Sequence, residues 1–114
     1  GAPAMSNSWL VQLLLPVADN EGRCFPDSLW SALRETLVQR FGGLTVYDRA
    51  PAKGVWTPSP SMRAVDQVFV VEVMCPTLDA AWWAALQRRL ESEMRQQAIV
   101  VRAIPVRQIG SNTT

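Results

Sequence analysis

The chain contains no histidine, and this absence excludes several common kinds of active site. Without an imidazole there is no Ser–His or Cys–His nucleophile pair, no histidine metal ligand and no histidine general base. The carboxylates are scattered, and none has the spacing of an acid–base pair or a hard-metal site. No Walker loop or dinucleotide-binding glycine pattern occurs. From the residues alone we therefore predict no catalytic residue, no metal site and no cofactor.

The chain also has few cysteines and a small net charge. Cys24 and Cys75 are the two cysteines, and they form neither a CxxC motif nor a metal-ligand spacing. A single disulfide between them is one interpretation, and two buried or half-buried free thiols in a reducing compartment is the interpretation that we favour. The formal net charge is only +1. Strong electrostatic capture of nucleic acid or of an anionic membrane is therefore not expected.

No hydrophobic run reaches transmembrane length. The apolar run at 9–17 covers nine residues, and about 20 are needed to span a bilayer. We therefore expect a cytoplasmic protein with no membrane contact. Of the 114 residues, we interpret 1–5 as a cloning remnant, 6–109 as one domain and 110–114 as a frayed tail. A hydrophobic content of 48% is sufficient for a core in a domain of this size.

Hydrophobic periodicity predicts six elements. The strands are expected at 9–15, 44–48, 68–74 and 99–106, with the last interrupted by Pro105. The first helix has Pro26 in its first turn and stops at the glycine pair 42–43, and the second is capped by Thr77 or Asp79. This order predicts an α+β fold, the ferredoxin-like βαββαβ sandwich, which has a four-stranded antiparallel sheet with two helices on one face.

In such a fold the second face of the sheet has no helices, and strand alternation identifies its residues. We call this face the open face. Its predicted residues are mostly apolar: Leu10, Leu14, Val68, Val70, Met74, Val100 and Ile104. Thr45 and Tyr47 are assigned to it from the second strand. A monomer would leave this large apolar patch in water, so we predict a homo-oligomer, in the first instance a dimer.

Three polar residues interrupt the apolar patch. In the usual strand order the first strand lies between the third and the last, which places Gln12 between Glu72 and Arg102. One interpretation is a self-satisfied network that fixes the register of an interface between copies. The other is that Glu72 or Arg102 contacts a ligand at that interface. The first is favoured, and both remain open.

The long connection between the second and third strands is a second candidate region. It is rich in proline and is preceded by Tyr47, with Arg49 and Trp56 within it. Long loops often carry function, and aromatic residues and arginine are frequent binding anchors. Trp56 either contacts a ligand or covers a sheet edge or a partner chain, because a loop tryptophan must be covered by something.

Two adjacent tryptophans lie on the second helix and point in different directions. Trp82 continues the apolar stripe that includes Leu86 and Leu90, so we predict that it lies in the core. Trp83 is expected at the edge of the helix.

RNA-recognition modules share the predicted topology, but they stack bases on exposed aromatic residues of the third strand. Here the one aromatic of that strand, Phe69, is predicted to face the helices, and Glu72 adds negative charge. We therefore expect no binding of nucleic acid.

Several short segments resemble those of a family of small uncharacterised bacterial proteins. They are FGGLT at 41–45, RAPA at 49–52, GVW at 54–56, VEVM at 71–74 and DAAWW at 79–83. The resemblance covers nearly the whole domain and implies a ferredoxin-like fold. It implies no catalytic residue.

Two functions are consistent with these features. The first is an oligomeric binding or regulatory module that holds a small molecule or a protein partner at the subunit interface. Its predicted site residues are Gln12, Tyr47, Arg49, Trp56, Glu72 and Arg102. The alternative is a small cofactor-independent enzyme of the dimeric α+β barrel type, which would bind an apolar substrate between sheet and helices. In that enzyme Glu72, Tyr47 or Arg49 would handle protons or orient the substrate.

Overall fold

The computed structural model describes residues 5–41, 46–49 and 68–109, which form four strands and two helices. The strands are β1 (Met5–Pro16), β2 (Val46–Arg49), β3 (Val68–Cys75) and β4 (Val100–Ile109), and the helices are α1 (Asp27–Phe41) and α2 (Ala80–Glu93). β1 pairs antiparallel with β3 on one side and with β4 on the other. The short β2 pairs antiparallel with β3, so the order is β2-β3-β1-β4. The predicted α+β class with antiparallel strands and two helices is confirmed.

The core lies between one face of the sheet and both helices. Alternate residues of β1 and β3 are buried there, together with leucines of α1 and α2: Val11, Leu13, Leu15, Val71, Val73, Leu33, Leu37, Leu86 and Leu90. Because successive side chains of a strand point to opposite faces of the sheet, the residues between these core positions lie on the open face. The residues predicted for the open face from β1, β3 and β4 lie on this face. Thr45 lies outside the described residues.

Two strands are longer than the hydrophobic pattern predicts. β1 begins at Met5, where it pairs with Ile109, although residues 6–8 are polar. β4 continues through Pro105, which pairs with Trp9. The expected interruption at Pro105 is therefore wrong. β4 is an edge strand, and a proline is tolerated at an edge because its missing N–H can point away from the neighbouring strand.

The helix ends follow their predicted signals. α1 begins directly after Pro26 with Asp27, whose charge suits the positive end of the helix dipole. Asp79 caps α2, since its Oδ1 accepts a hydrogen bond from the Trp82 backbone N–H at 3.1 Å. Asp79 also forms an ion pair with Arg40 at 3.0 Å. This pair connects the end of α1 to the start of α2.

The two tryptophans of α2 exchange their predicted roles. Trp83 is 3% exposed and stacks on Phe41 with a centroid separation of 5.1 Å, whereas Trp82 is only half-buried. At about 100° per residue, Trp83 lies roughly 20° from the direction of Leu90, whereas Trp82 lies roughly 80° away. Trp82 does lie on the apolar side of α2, but Trp83 is nearer to the centre of the buried face.

A tight turn connects β1 to α1. The Asp19 carboxylate accepts hydrogen bonds from the backbone N–H groups of Glu21 and Arg23, each at 2.9 Å. Gly22 has φ = 85°, a conformation that favours glycine. Ala18 and Cys24 then form an isolated antiparallel bridge. The turn therefore holds residues 24 and 25 in a defined position in front of α1.

The two cysteines are free and lie in different environments. Cys75 is fully buried in the core, as predicted, but Cys24 is exposed, so the prediction that both thiols are at least half-buried is wrong for Cys24. Burial raises the pKa of the Cys75 thiol, because removal from water disfavours the thiolate. Cys24 is therefore the accessible thiol of the folded protein.

We expect this buried thiol to make folding stability fall at alkaline pH. An unfolded thiol loses its proton near about pH 8.5, while folded Cys75 retains its proton to higher pH. Above that pH the folded state binds more protons than the unfolded state, so stability decreases by up to about 1.4 kcal/mol per pH unit. Urea unfolding between about pH 8 and 10 measures this slope. It should become shallower in Cys75→Ala and remain unchanged in Cys24→Ala, and equal slopes in all three proteins would contradict the assignment.

Candidate functional site

A row of polar residues crosses the open face of the sheet. Gln12 of β1 lies directly opposite Glu72 of β3 and directly opposite Arg102 of β4. On the far side of β3, Tyr47 of β2 is the register partner of Glu72. We call Glu72, Gln12 and Arg102 the polar row. Its predicted order, with Gln12 in the middle, is the observed one.

The amide of Gln12 connects the two charged groups. Its Nε2 donates to Glu72 Oε2 at 2.9 Å, and its Oε1 accepts from Arg102 Nε at 2.6 Å. The reverse orientation would place the amide oxygen against a carboxylate and the NH2 group against a guanidinium. The charges on both sides therefore determine the orientation of the amide.

The two ends of the polar row differ in exposure. Glu72 is 3% exposed, although it lies on the face that the helices do not cover. Arg102 is exposed, and its two terminal nitrogens make no hydrogen bond or ion pair among the described residues. Glu72 therefore acts mainly within the protein, whereas Arg102 has donors for an acceptor outside it, such as a carboxylate or a carbonyl group.

Apolar side chains surround the polar row. Val68, Val100 and Ile104 are exposed, and four others are half-buried, namely Leu10, Leu14, Val70 and Met74. All seven residues were predicted for the open face. The face thus combines an apolar surface with a charge-bearing row whose accessible end is cationic.

The remaining predicted site residues are only partly described. Arg49 lies in β2, with Val70 as its register partner, two residues after Tyr47. Tyr47 and Arg49 therefore belong to the strand next to Glu72. Trp56 lies outside the described residues, so both interpretations of this tryptophan remain predictions.

A cavity of about 440 Å³ lies on the other side of the sheet, between α1, β3 and the turn that follows β1. Residues that line it include Phe25, Trp30, Arg34, Phe69 and Val71. Glu72 is not among them, because alternation along β3 places it on the open face. This cavity is therefore not lined by Glu72, which is one of the three groups, with Tyr47 and Arg49, that the alternative enzyme hypothesis would use.

Sequence reasoning did not identify this second region. Cys24, Asp27 and Arg34 belong to the rim of the cavity, and none of them stands in a motif. The available signal was the i, i+7 spacing of Asp27 and Arg34, which places both on one side of α1. That spacing is common on solvated helices, so it becomes informative only when the cavity is known.

The described ranges contain neither a metal-ligand cluster nor a membrane-spanning helix. No group of three or more Cys, Asp or Glu residues within 5–41, 46–49 and 68–109 could hold a metal ion. Neither of the helices there is long and apolar enough to cross a bilayer.

Comparison with protein-family models, with curated proteins and with solved structures finds no match to this chain. The resemblance to a bacterial family therefore stays a prediction.

Proposed function

We propose that the chain is an oligomeric binding or regulatory module with a ferredoxin-like fold. In this proposal the open face contacts a second copy, and a small molecule or a protein partner binds at the interface, at the exposed end of the polar row. The order of elements and the strand order β2-β3-β1-β4 support the fold. The compartment we propose is the cytoplasm.

The exposed apolar surface of the open face is the observation that carries the proposal. Val100 is 48% exposed and Ile104 is 39% exposed on either side of Arg102, and Val68 is 44% exposed on β3. Apolar side chains grouped on one face are a stronger indication of an interface than single exposed ones. A second copy would cover this surface, and the half-buried residues between these positions would complete an apolar interface core.

Arg102 provides the ligand end of the proposed site. Its Nε is held by Gln12, which orients the guanidinium and leaves the terminal nitrogens for another acceptor. A guanidinium that is already positioned loses less side-chain entropy when it binds a planar carboxylate. Tyr47 and Arg49 lie on the strand next to Glu72, and we propose that they contact the ligand or partner at the Glu72 end of the polar row.

Association is tested with a matched pair of variants. Val100 and Val38 are both valines of similar exposure, 48% and 45%, but Val38 lies on α1 and Val100 on the open face. We expect light scattering to detect an oligomer in the wild type. Val100→Lys should weaken association by about tenfold or more, because the ammonium would be desolvated at the interface. Val38→Lys should associate like the wild type.

A strict monomer for the wild type at micromolar concentration would contradict the proposed oligomer, as would equal effects of the two lysine variants. Native mass spectrometry of gently purified protein then tests the ligand. We expect an oligomer with a reproducible additional mass in the wild type and its loss in Arg102→Gln. An oligomer without added mass in both proteins would leave self-association as the module's function and contradict the ligand site.

A further inference from the structure

The cavity beneath α1 has the architecture of a small-molecule pocket. Its floor consists of Leu33, Leu37 and Val71, which are all buried. Its volume of about 440 Å³ lies within the range of about 300–1,000 Å³ that is typical of ligand pockets. An apolar floor of this kind favours the apolar body of a ligand, because binding removes that body from water.

Aromatic rings form the walls of the cavity. Phe25 and Trp30 meet edge to face at 6.3 Å between centroids, and Trp30 and Phe69 do so at 5.2 Å. Trp30 belongs to α1, Phe69 to β3 and Phe25 to the segment after the tight turn, so three separate parts of the chain hold the rings in place. Fixed aromatic faces and edges favour a planar aromatic ligand, which can stack or pack edge-on against them.

The rim of the cavity carries two charged residues, Asp27 and Arg34. The charge of Asp27 is stabilised by the helix, whereas Arg34 has no partner among the described residues. Asp27 is the first residue of α1, where the helix dipole stabilises a carboxylate. Arg34 lies two turns further along the same side, in the middle of the helix. Arg34 makes no ion pair or hydrogen bond within the described part of the chain. The cavity therefore has an available cation at its mouth, and the anion beside it is already stabilised by the helix.

We propose that this cavity is a second binding site, and that its ligand is a small aromatic carboxylate. The ring would lie between Phe25, Trp30 and Phe69, and the carboxylate would accept hydrogen bonds from the guanidinium of Arg34. An Arg–carboxylate contact can be bidentate, which adds orientation to affinity. The site lies on the opposite side of the sheet from the polar row and requires no second copy.

The charge preference is tested with two probes that share one ring system. 2-Naphthoate carries the carboxylate, and 2-naphthamide replaces it with a neutral group of nearly equal size. Ligand-detected NMR titration should show naphthoate bound about tenfold more tightly than naphthamide by the wild type, as expected for one charge-assisted contact. In Arg34→Gln the two affinities should agree within about twofold. Arg88→Gln is the matched control, because Arg88 is an exposed arginine of α2 that is not at the cavity.

The reactivity of Cys24 reports whether the ligand lies in the cavity, in addition to whether it binds. Its exposed thiol lines the cavity, while the other cysteine, Cys75, is buried. Alkylation of the native protein should therefore label Cys24, and bound naphthoate should slow that reaction. Ser31→Trp, a substitution at an exposed residue that lines the cavity, should block the cavity and abolish the protection. Circular dichroism confirms that each variant is folded.

Two results would overturn the proposal. One is that naphthoate at about 1 mM neither binds more tightly than naphthamide nor slows the alkylation of Cys24 in the wild type. The other is that the naphthoate preference survives unchanged in Arg34→Gln. Either result leaves the proposed oligomer unaffected, because the association of copies is measured without a probe and through residues of the open face.

Discussion

Trp83→Ala should lower the free energy of unfolding by about 3–5 kcal/mol, which is the usual cost of truncating a buried tryptophan. Trp83 is 3% exposed, stacks on Phe41 of α1 and packs over the core. Its removal would leave a large cavity between the helices and the sheet, which the surrounding side chains can fill only in part. Equilibrium unfolding in urea at one fixed protein concentration measures the loss.

The matched control is the neighbouring tryptophan. Trp82 is half-buried and contacts Phe41, Trp83 and the guanidinium of Arg40, which lies 5.3 Å from its ring centroid. We expect Trp82→Ala to cost about 1–2 kcal/mol, because its side chain is only half-buried. A larger loss in Trp82→Ala than in Trp83→Ala would mean that Trp82 is the core residue, as the sequence pattern predicts, and would contradict the burial of Trp83.

Trp83→Phe tests how much of the loss in Trp83→Ala comes from the missing ring, because both substitutions remove the indole N–H. The indole Nε1 is buried and has no hydrogen-bond acceptor among the described residues. A buried donor without a partner costs about 1–3 kcal/mol. Phenylalanine keeps part of the packing and removes that donor, so Trp83→Phe should destabilise the protein far less than Trp83→Ala. Equal losses in the two variants would contradict the packing of the Trp83 ring against Phe41 and the core.

Gln12→Glu should destabilise the protein by about 2–3 kcal/mol at neutral pH. The change replaces the amide N–H that donates to Glu72 with a carboxylate oxygen at the same place. Because Glu72 is buried, the repulsion between the two carboxylates is poorly screened. The new carboxylate also gains an ion pair with Arg102, but Arg102 is exposed and this gain is small.

The loss in Gln12→Glu should shrink as the pH falls toward about 4, since protonation of one carboxyl removes the repulsion and restores a hydrogen-bond donor. Gln39→Glu is the matched control. Gln39 Nε2 also donates to a carboxylate, that of Glu35 at 3.3 Å, but on the exposed surface of α1. Its substitution should cost no more than about 0.5 kcal/mol. Similar losses in the two variants would contradict the burial of Glu72.

Much of the fold follows from patterns that are local in the chain. The alternation in β1 and β3 predicts which residues face the helices, because a strand has a side-chain period of two whatever it packs against. The start of α1 after Pro26 and the cap of α2 at Asp79 follow from unpaired N–H groups at helix ends. The polar row was predictable for the same reason, once the expected strand order placed Gln12 between Glu72 and Arg102.

Other features depend on contacts that no local pattern contains. The first residues of β1 are polar, and they become strand because β4 extends beyond Pro105 to pair with them. The choice between Trp82 and Trp83 depends on how α2 is rotated about its axis on the sheet. A stripe of apolar residues restricts the rotation of the helix about its axis only to within tens of degrees. That uncertainty is enough to change which of two adjacent residues faces the core.

The sequence by itself determined the spacing of apolar residues along helices and strands, the helix ends and which strand residues share a face. These features depend on backbone geometry and on residues within a few positions of each other. The tertiary structure alone decided that Glu72 is buried on a face without helices, and that Arg34, Cys24 and three aromatic rings surround one cavity. Both depend on how closely elements distant in the chain approach each other. That distance is set by the packing of whole side chains against one another, and no spacing in the sequence encodes it.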